Sequence, residues 1–196
     1  MVIDYNILIT YGGIARRFKK GTTIFFENNM PHFFYQILEG SVTVVSTNSE
    51  GKDLIQGIYH KGQSFGEPPL LIGRPYITSA VTSTDSVIVR LGKENFLNIL
   101  NDYPEITLRI MQHLADKLYQ KTYTSRLLVS HTPEEKITYF LNNIKATIDK
   151  NTEVKIPYTR QQIANFTGLR VETVIRTLLK MKNNGKVKII NHKLFY

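Results

Sequence analysis

The stretch Thr159-Arg-Gln-Gln-Ile-Ala-Asn-Phe-Thr-Gly168-Leu-Arg-Val-Glu-Thr-Val-Ile-Arg176-Thr-Leu-Leu-Lys180 decides the fold. Thr159 followed three residues later by Gln162 is a capping box and opens a helix. Ile163 faces a core, and Ala164 is small where two helices must cross closely. Gly168 stands four residues on, where a tight turn can demand a positive φ. Leu169 and Val174 anchor a second helix running from about Arg170 to Asn183. The spacing is that of a helix–turn–helix. An ordinary αα-hairpin is the plain alternative, and the basic surroundings favour nucleic-acid binding over it.

Glu172 and Arg176 are four residues apart and share one face of the second helix. An arginine can bond guanine O6 and N7 together, and a glutamate can accept from cytosine N4. An intrahelical salt bridge is the simpler account of the pair. Against it, an acid costs affinity beside phosphates, and Glu172 is the only acid between 155 and 196. Base readout is therefore expected at Glu172 and Arg176, with Val171 placed for a thymine methyl. Thr159, Arg160, Arg170, Lys180 and Lys182 suit backbone phosphates. Asn183-Asn-Gly185 ends the helix, and a two-stranded wing is expected from Lys186–Ile190 and His192–Tyr196. Lys186 and Lys188 there are further phosphate candidates.

Charge follows the same division. The 196-residue chain carries a formal net charge of +9. Residues 1–100 are nearly neutral, whereas the segment 155–196 holds nine Lys/Arg and one acid. Such asymmetry reads as a near-neutral module joined to a polyanion-binding one. The absence of Cys excludes disulfides, thiol catalysis, Cys-ligated zinc and Cys-held iron–sulfur clusters. No signal peptide is evident, and no run approaches the ~18 apolar residues of a membrane helix. A cytoplasmic protein without membrane contact is expected.

The first half reads as short strands: Thr22–Phe26, Phe33–Leu38, Val42–Ser46, Asp53–Tyr59, Ile77–Thr82 and Val87–Leu91, punctuated by glycines. Asn48-Ser-Glu-Gly51 looks like a hairpin loop. An antiparallel sandwich or barrel follows. From Glu105 to Leu128 the pattern is helical. Met111, Leu114, Leu118, Ser125 and Leu128, with Lys121 filling the gap between Leu118 and Ser125, follow steps of three and four, a seam suited to a dimer-forming helix rather than to packing on its own sandwich. Thr132-Pro133-Glu134-Glu135 is a second capping box and restarts a helix to about Ile148. A polar loop, Asp149–Glu153, and a short strand, Val154–Pro157, lead into the helix–turn–helix.

On these residues the whole chain from about residue 14 resembles the Crp–Fnr family of bacterial transcription regulators. The matching residues are Gly21, the run Tyr35-Gln-Ile-Leu-Glu-Gly40-Ser-Val, Gly51, Gly62 and Phe65-Gly-Glu67 in the first half. In the second they are Thr159-Arg-Gln-Gln-Ile-Ala and Gly168-Leu-Arg-Val-Glu-Thr-Val-Ile-Arg176. The resemblance implies an α+β fold in three parts. An N-terminal antiparallel, jelly-roll-like β-roll effector domain spans 1–103, a dimerisation helix and hinge 104–131, and a C-terminal winged helix–turn–helix 132–196. It implies a homodimer on double-stranded DNA, RNA polymerase as partner, and reading of the half-site by Glu172 and Arg176.

Departures from the family matter as much. Its effector pocket would fall on Gly66, Glu67, Arg74, Tyr76 and Thr122. The arginine that holds a cyclic phosphate falls instead on Pro75 or Tyr76, with Arg74 out of step. Pro68 and Pro69 have no N–H to offer a phosphate, though they suit the first turn of a short helix. Without that arginine a cyclic phosphate lacks its charge-assisted partner, so cyclic AMP is disfavoured and the effector is unknown. Gly66 and Glu67 then read as structural, Glu67 capping the turn. Arg170 replaces the family's Ser or Thr helix cap, and the short N-terminus speaks against a helix before the roll. His32, His60 and His113 are lone histidines, and no metal cluster is evident.

The reading is therefore a sequence-specific DNA-binding regulator and not an enzyme. A cyclic-AMP-responsive regulator and a ligand-independent DNA binder with a degenerate roll remain as alternatives.

Overall fold

A computed structural model of the chain describes residues 1–47, 53–130, 132–148 and 153–196. The expected Asn48–Gly51 hairpin loop, His131 and most of the Asp149–Glu153 loop lie outside the described residues. The chain divides into two compact units, Met1–Leu118 and Tyr119–Tyr196.

The first unit is built on two four-stranded antiparallel sheets. One has the order β1 (Ile14–Phe18), β8 (Ser86–Gly92), β3 (Phe33–Glu39), β6 (Ser64–Phe65). The other runs β2 (Thr23–Phe25), β7 (Ser79–Thr82), β4 (Ser41–Thr47), β5 (Asp53–His60). Period-2 alternation sorts the side chains. Tyr35 and Ile37 of β3 face inward, joining Phe25, Val42, Val44, Phe65, Tyr76, Ala80 and Ile88 between the sheets. Phe34, Val89 and Leu91 face outward and are covered by helices. Those helices are α1 (Tyr5–Thr10), α3 (Lys93–Asp102) and the first turns of α4 (Pro104–Ser130), through Leu8, Phe96, Ile99, Ile106 and Ile110. Gly40 joins β3 to β4 at φ 83°, a left-handed conformation that a side chain would strain.

The helix α1 corrects the expectation that none precedes the roll. Asp4 caps it, accepting the Asn6 N–H at 2.8 Å. The buried Gln36 side chain ties this segment down, accepting from Ile3 N at 2.9 Å and donating to Ile3 O at 2.8 Å. The strand β1 is also new. Four of its five residues are exposed, so no apolar alternation marks it.

The seam expected along α4 is divided in the structure. Ile106, Ile110 and Leu114 turn towards the roll. Met111, Leu118 and Ser125 are exposed, with Leu108 and Tyr119 beside them. The Leu128 side chain lies outside the described ones.

In the second unit α5 (Pro133–Ile148), α6 (Arg160–Thr167) and α7 (Val171–Asn183) close around one core of Ile137, Phe140, Leu141, Ile163, Ala164, Val174, Leu178 and Met181. Phe140, Tyr158 and Phe166 add an aromatic triangle with centroids 5.0–5.8 Å apart. The wing has three strands rather than two. Strand β11 (Lys193–Phe195) pairs with both β10 (Lys188–Ile190) and β9 (Lys155–Ile156).

Candidate nucleic-acid interface

Both capping boxes form. Thr159 Oγ1 accepts the Gln162 N–H at 3.1 Å, and Gln162 Oε1 accepts the Thr159 N–H at 2.8 Å. Glu135 Oε2 likewise accepts the Thr132 N–H at 2.7 Å. Gly168 ends α6 at φ 67°, the left-handed turn the sequence requires. Arg170 is the N-cap residue of α7 in extended conformation, and its side chain makes no capping bond. The first amides of α7 therefore lack a side-chain acceptor there.

The buried face of α7 carries Val174, Thr177, Leu178 and Met181. Its exposed face brings together Glu172, Ile175, Arg176, Leu179, Lys180 and Asn183 around one open concavity. Glu172 and Arg176 thus share the solvent face. Val171 is half-buried and packs on the core. A second concavity lies between α7 and the wing, lined by Thr159, Arg160, Ile175, Leu179, His192 and Lys193 among others. Arg170 and Lys182 are exposed and Arg160 is half-buried.

Three of the phosphate candidates have acidic partners from elsewhere in this unit. Glu134 of α5 holds Lys186 at 2.7 Å and Lys180 at 3.7 Å. Glu153 holds Lys188 at 2.8 Å. The Lys186 ammonium beside Glu134 draws that carboxyl below its ordinary range. Sequence separation hides these pairs, because the acids lie outside the basic segment.

In the first unit, Glu67 opens α2 (Glu67–Ile72) and is fully buried. The N-cap of that helix is Gly66, which offers no side chain, so Glu67 is not its cap. Its carboxylate instead meets Lys117 of α4, with Nζ 3.2 Å from Oε2 and 3.4 Å from Oε1. Lys117 Nζ also donates to Ser64 O at 3.2 Å and lies 4.8 Å above the Tyr59 ring. His113 Nε2 stands 3.9 Å from Glu67 Oε1. Burial, and then the Glu67 charge, push the Tyr59 phenol up to about 12. Burial lowers Lys117 from its ordinary value, and the Glu67 charge partly opposes that.

Of the remaining effector-pocket residues, Tyr76 is buried and stacked on Phe25, with centroids 3.7 Å apart and planes at 6°. A Cβ at Gly66 would stand 3.1 Å from Phe25. Arg74 and Thr122 are exposed. In this corner of the roll Tyr76 is thus engaged by Phe25, and the buried Glu67 carboxylate faces the Lys117 ammonium. Among the described residues no three His, Asp or Glu side chains gather as a metal-ligand group. No described helix is long and apolar enough to cross a membrane.

A sandwich effector module followed by a winged helix–turn–helix defines a class, and comparison with known proteins places the chain within it. Residues 15–103 match the cyclic nucleotide-binding domain family, and residues 135–195 the Crp-like helix-turn-helix domain. The chain is 28% identical over 195 residues to the nitrogen fixation regulation protein FixK of Bradyrhizobium diazoefficiens, covering 96% of this chain and 81% of that one. It is 24% identical over 176 residues to the transcriptional activator protein FnrA of Stutzerimonas stutzeri, covering 87% and 71%. Its fold matches the c-di-GMP-responsive regulator CLP of Xanthomonas campestris at TM-score 0.82 and 19% identity, over 97% of this chain and 98% of that one. It matches FixK2 of Bradyrhizobium japonicum at TM-score 0.79 and 19% identity, over 93% and 91%. The chain belongs to the Crp–Fnr family: it is a DNA-binding transcription regulator, not an enzyme.

Proposed function

We propose that the chain acts in the cytoplasm as a homodimer that reads two half-sites of duplex DNA, one α7 helix to each. The observation that carries this reading is the single exposed face of α7, where Glu172 and Arg176 stand side by side over a completed core. Arg176 would take guanine and Glu172 cytosine, with Val171 at the helix start. Thr159, Arg160, Arg170, Lys180, Lys182, Lys186 and Lys188 would position the duplex through its phosphates.

The exposed stripe of Met111, Leu118 and Ser125 on α4 supports a dimer helix within 104–131, joining the effector domain 1–103 to the DNA-binding domain 132–196. A transcription regulator of this build works beside RNA polymerase, which is the macromolecular partner we assign. Cyclic AMP is not the effector in this reading, because Glu67 is held by Lys117 and Tyr76 by Phe25. In-vitro selection of duplexes from a random pool tests the proposal. Twofold-symmetric sites with half-sites about 34 Å apart are expected; recovery of unrelated sequences would overturn it.

A further inference from the structure

One buried carboxylate in the roll faces two basic side chains. Glu67 is fully buried, and His113 and Lys117 stand four residues apart on α4, so both meet it from one face of the helix. Lys117 is satisfied, with its Nζ reaching both Glu67 oxygens and the Ser64 carbonyl. His113 is not. Its Nε2 is buried without a hydrogen-bond partner and stops 3.9 Å short of Glu67 Oε1. The His113 side chain is nevertheless 24% exposed, so a proton has a path to the ring from solvent.

The surrounding charges decide what that proton does. With His113 neutral, one carboxylate meets one ammonium and the cluster balances. The Tyr59 phenol beneath Lys117 stays uncharged, pushed up to about 12 by burial and then by Glu67. A protonated His113 is a second cation on the same carboxylate. Burial and the Lys117 charge oppose it, while Glu67, the Ser64 backbone and Asp116 favour it. Bringing Nε2–H within bonding range of Oε1 takes about 1 Å of movement and draws that oxygen away from Lys117. The charged ring and the described packing of α2 on α4 are therefore alternatives, and a proton biases the joint between them. Beyond this joint α4 leaves the first unit, which ends at Leu118, and continues to Ser130.

We propose that Glu67, Lys117 and His113 form a proton-binding effector site, in which one proton on His113 loosens α4 from the roll and so releases DNA. Two α7 helices meet two half-sites together only while each α4 is held in place, and a loosened joint adds an ordering cost to binding. The inference rests on the assignments of α7 as DNA reader and α4 as dimer helix, and it adds the effector.

Affinity for the tightest selected duplex, measured at pH 7.5 and pH 6.0 at one salt concentration, tests the proposal, with circular dichroism confirming the fold at each pH. Acid adds positive charge to a chain and by itself strengthens binding to a polyanion. The wild type should instead weaken about fivefold, the low end of ordinary coupling between two sites. His113→Gln should bind like the wild type at pH 7.5 and should not weaken in acid. Parallel responses of the two proteins overturn the proposal. Nuclear magnetic resonance of the His113 ring in the wild type gives a second readout that needs no variant. By reciprocity, the duplex should lower the pH at which His113 titrates, and a titration unmoved by the duplex overturns the proposal. Arg176→Ala separates the two levels. If its sequence preference stays intact, the reading of DNA by α7 fails and the effector site loses its output. If its preference relaxes while wild type and His113→Gln respond alike to acid, the effector assignment alone fails.

Discussion

Lys117 Nζ stands 3.2 Å from Oε2 of Glu67, a carboxylate with no exposed surface, and the pair joins α2 to α4 inside the first unit. A buried pair adds little net stability against well-packed apolar side chains, but stranding one partner is costly. Glu67 has no route to water, whereas the Lys117 side chain is 23% exposed. Lys117→Met should therefore destabilise the chain by about 3 kcal/mol, more than Glu67→Gln does, and the double variant should cost less than the sum. Urea unfolding of the four proteins checks this. Additive single effects would contradict the pairing.

His113 makes the same cluster sensitive to acid. Burial first, and the Lys117 charge second, hold its imidazolium below the usual value of 6.5, while Glu67 and Asp116 oppose the shift. The folded chain thus binds this proton more weakly than the unfolded one. Stability from this group is present above about pH 6.5 and declines as pH falls through that value and on towards the lowered one. The urea midpoint of the wild type should drop further between pH 7.5 and pH 5.5 than that of His113→Gln. Equal drops would remove His113 from the account.

Arg170 occupies a capping position without capping. Arg170→Ser should stabilise the second unit by about 1 kcal/mol, because a hydroxyl can accept an orphan amide of α7. The same change should weaken DNA binding and lower the salt dependence by about one counterion. Calorimetry and affinity measured at several salt concentrations read the two effects separately.

Glu134 competes with phosphate for Lys186 and Lys180. Glu134→Gln should raise affinity for duplexes of any sequence by a few-fold at moderate salt and steepen the salt dependence, with sequence preference unchanged. Unchanged affinity would mean that neither lysine meets the backbone.

The winged helix was legible because its signals are local. Thr159 and Gln162 are three residues apart, Gly168 sits inside the turn it permits, and the basic residues are consecutive neighbours of the motif. The roll's strands were legible where alternation was strong and invisible where it was not, as at the exposed β1 and the two-residue β6. The α4 seam misled in part because one stripe of a helix can serve two masters. Leu114 turns to the roll, while Met111 and Leu118 stay outside. Lys117 was missed because a lysine reads as a surface residue. Its signal was positional: with His113 it continues the stripe begun by Ile106, Ile110 and Leu114, placing two polar groups on a core-facing row. The acids that hold the wing lysines carried no signal, since only folding brings Glu134 to Lys186.

The central claim is that α7 reads bases through Glu172 and Arg176 while the surrounding cations only position the duplex. The most direct measurement is the ratio of affinities for a selected operator and a scrambled duplex, taken for the wild type, Arg176→Ala and Lys180→Ala at one salt concentration. Arg176→Ala should shrink the ratio by about 1–3 kcal/mol, relaxing preference at a single base pair per half-site. Lys180→Ala should weaken both duplexes alike and leave the ratio unchanged. An Arg176→Ala protein with the wild-type ratio would contradict the account.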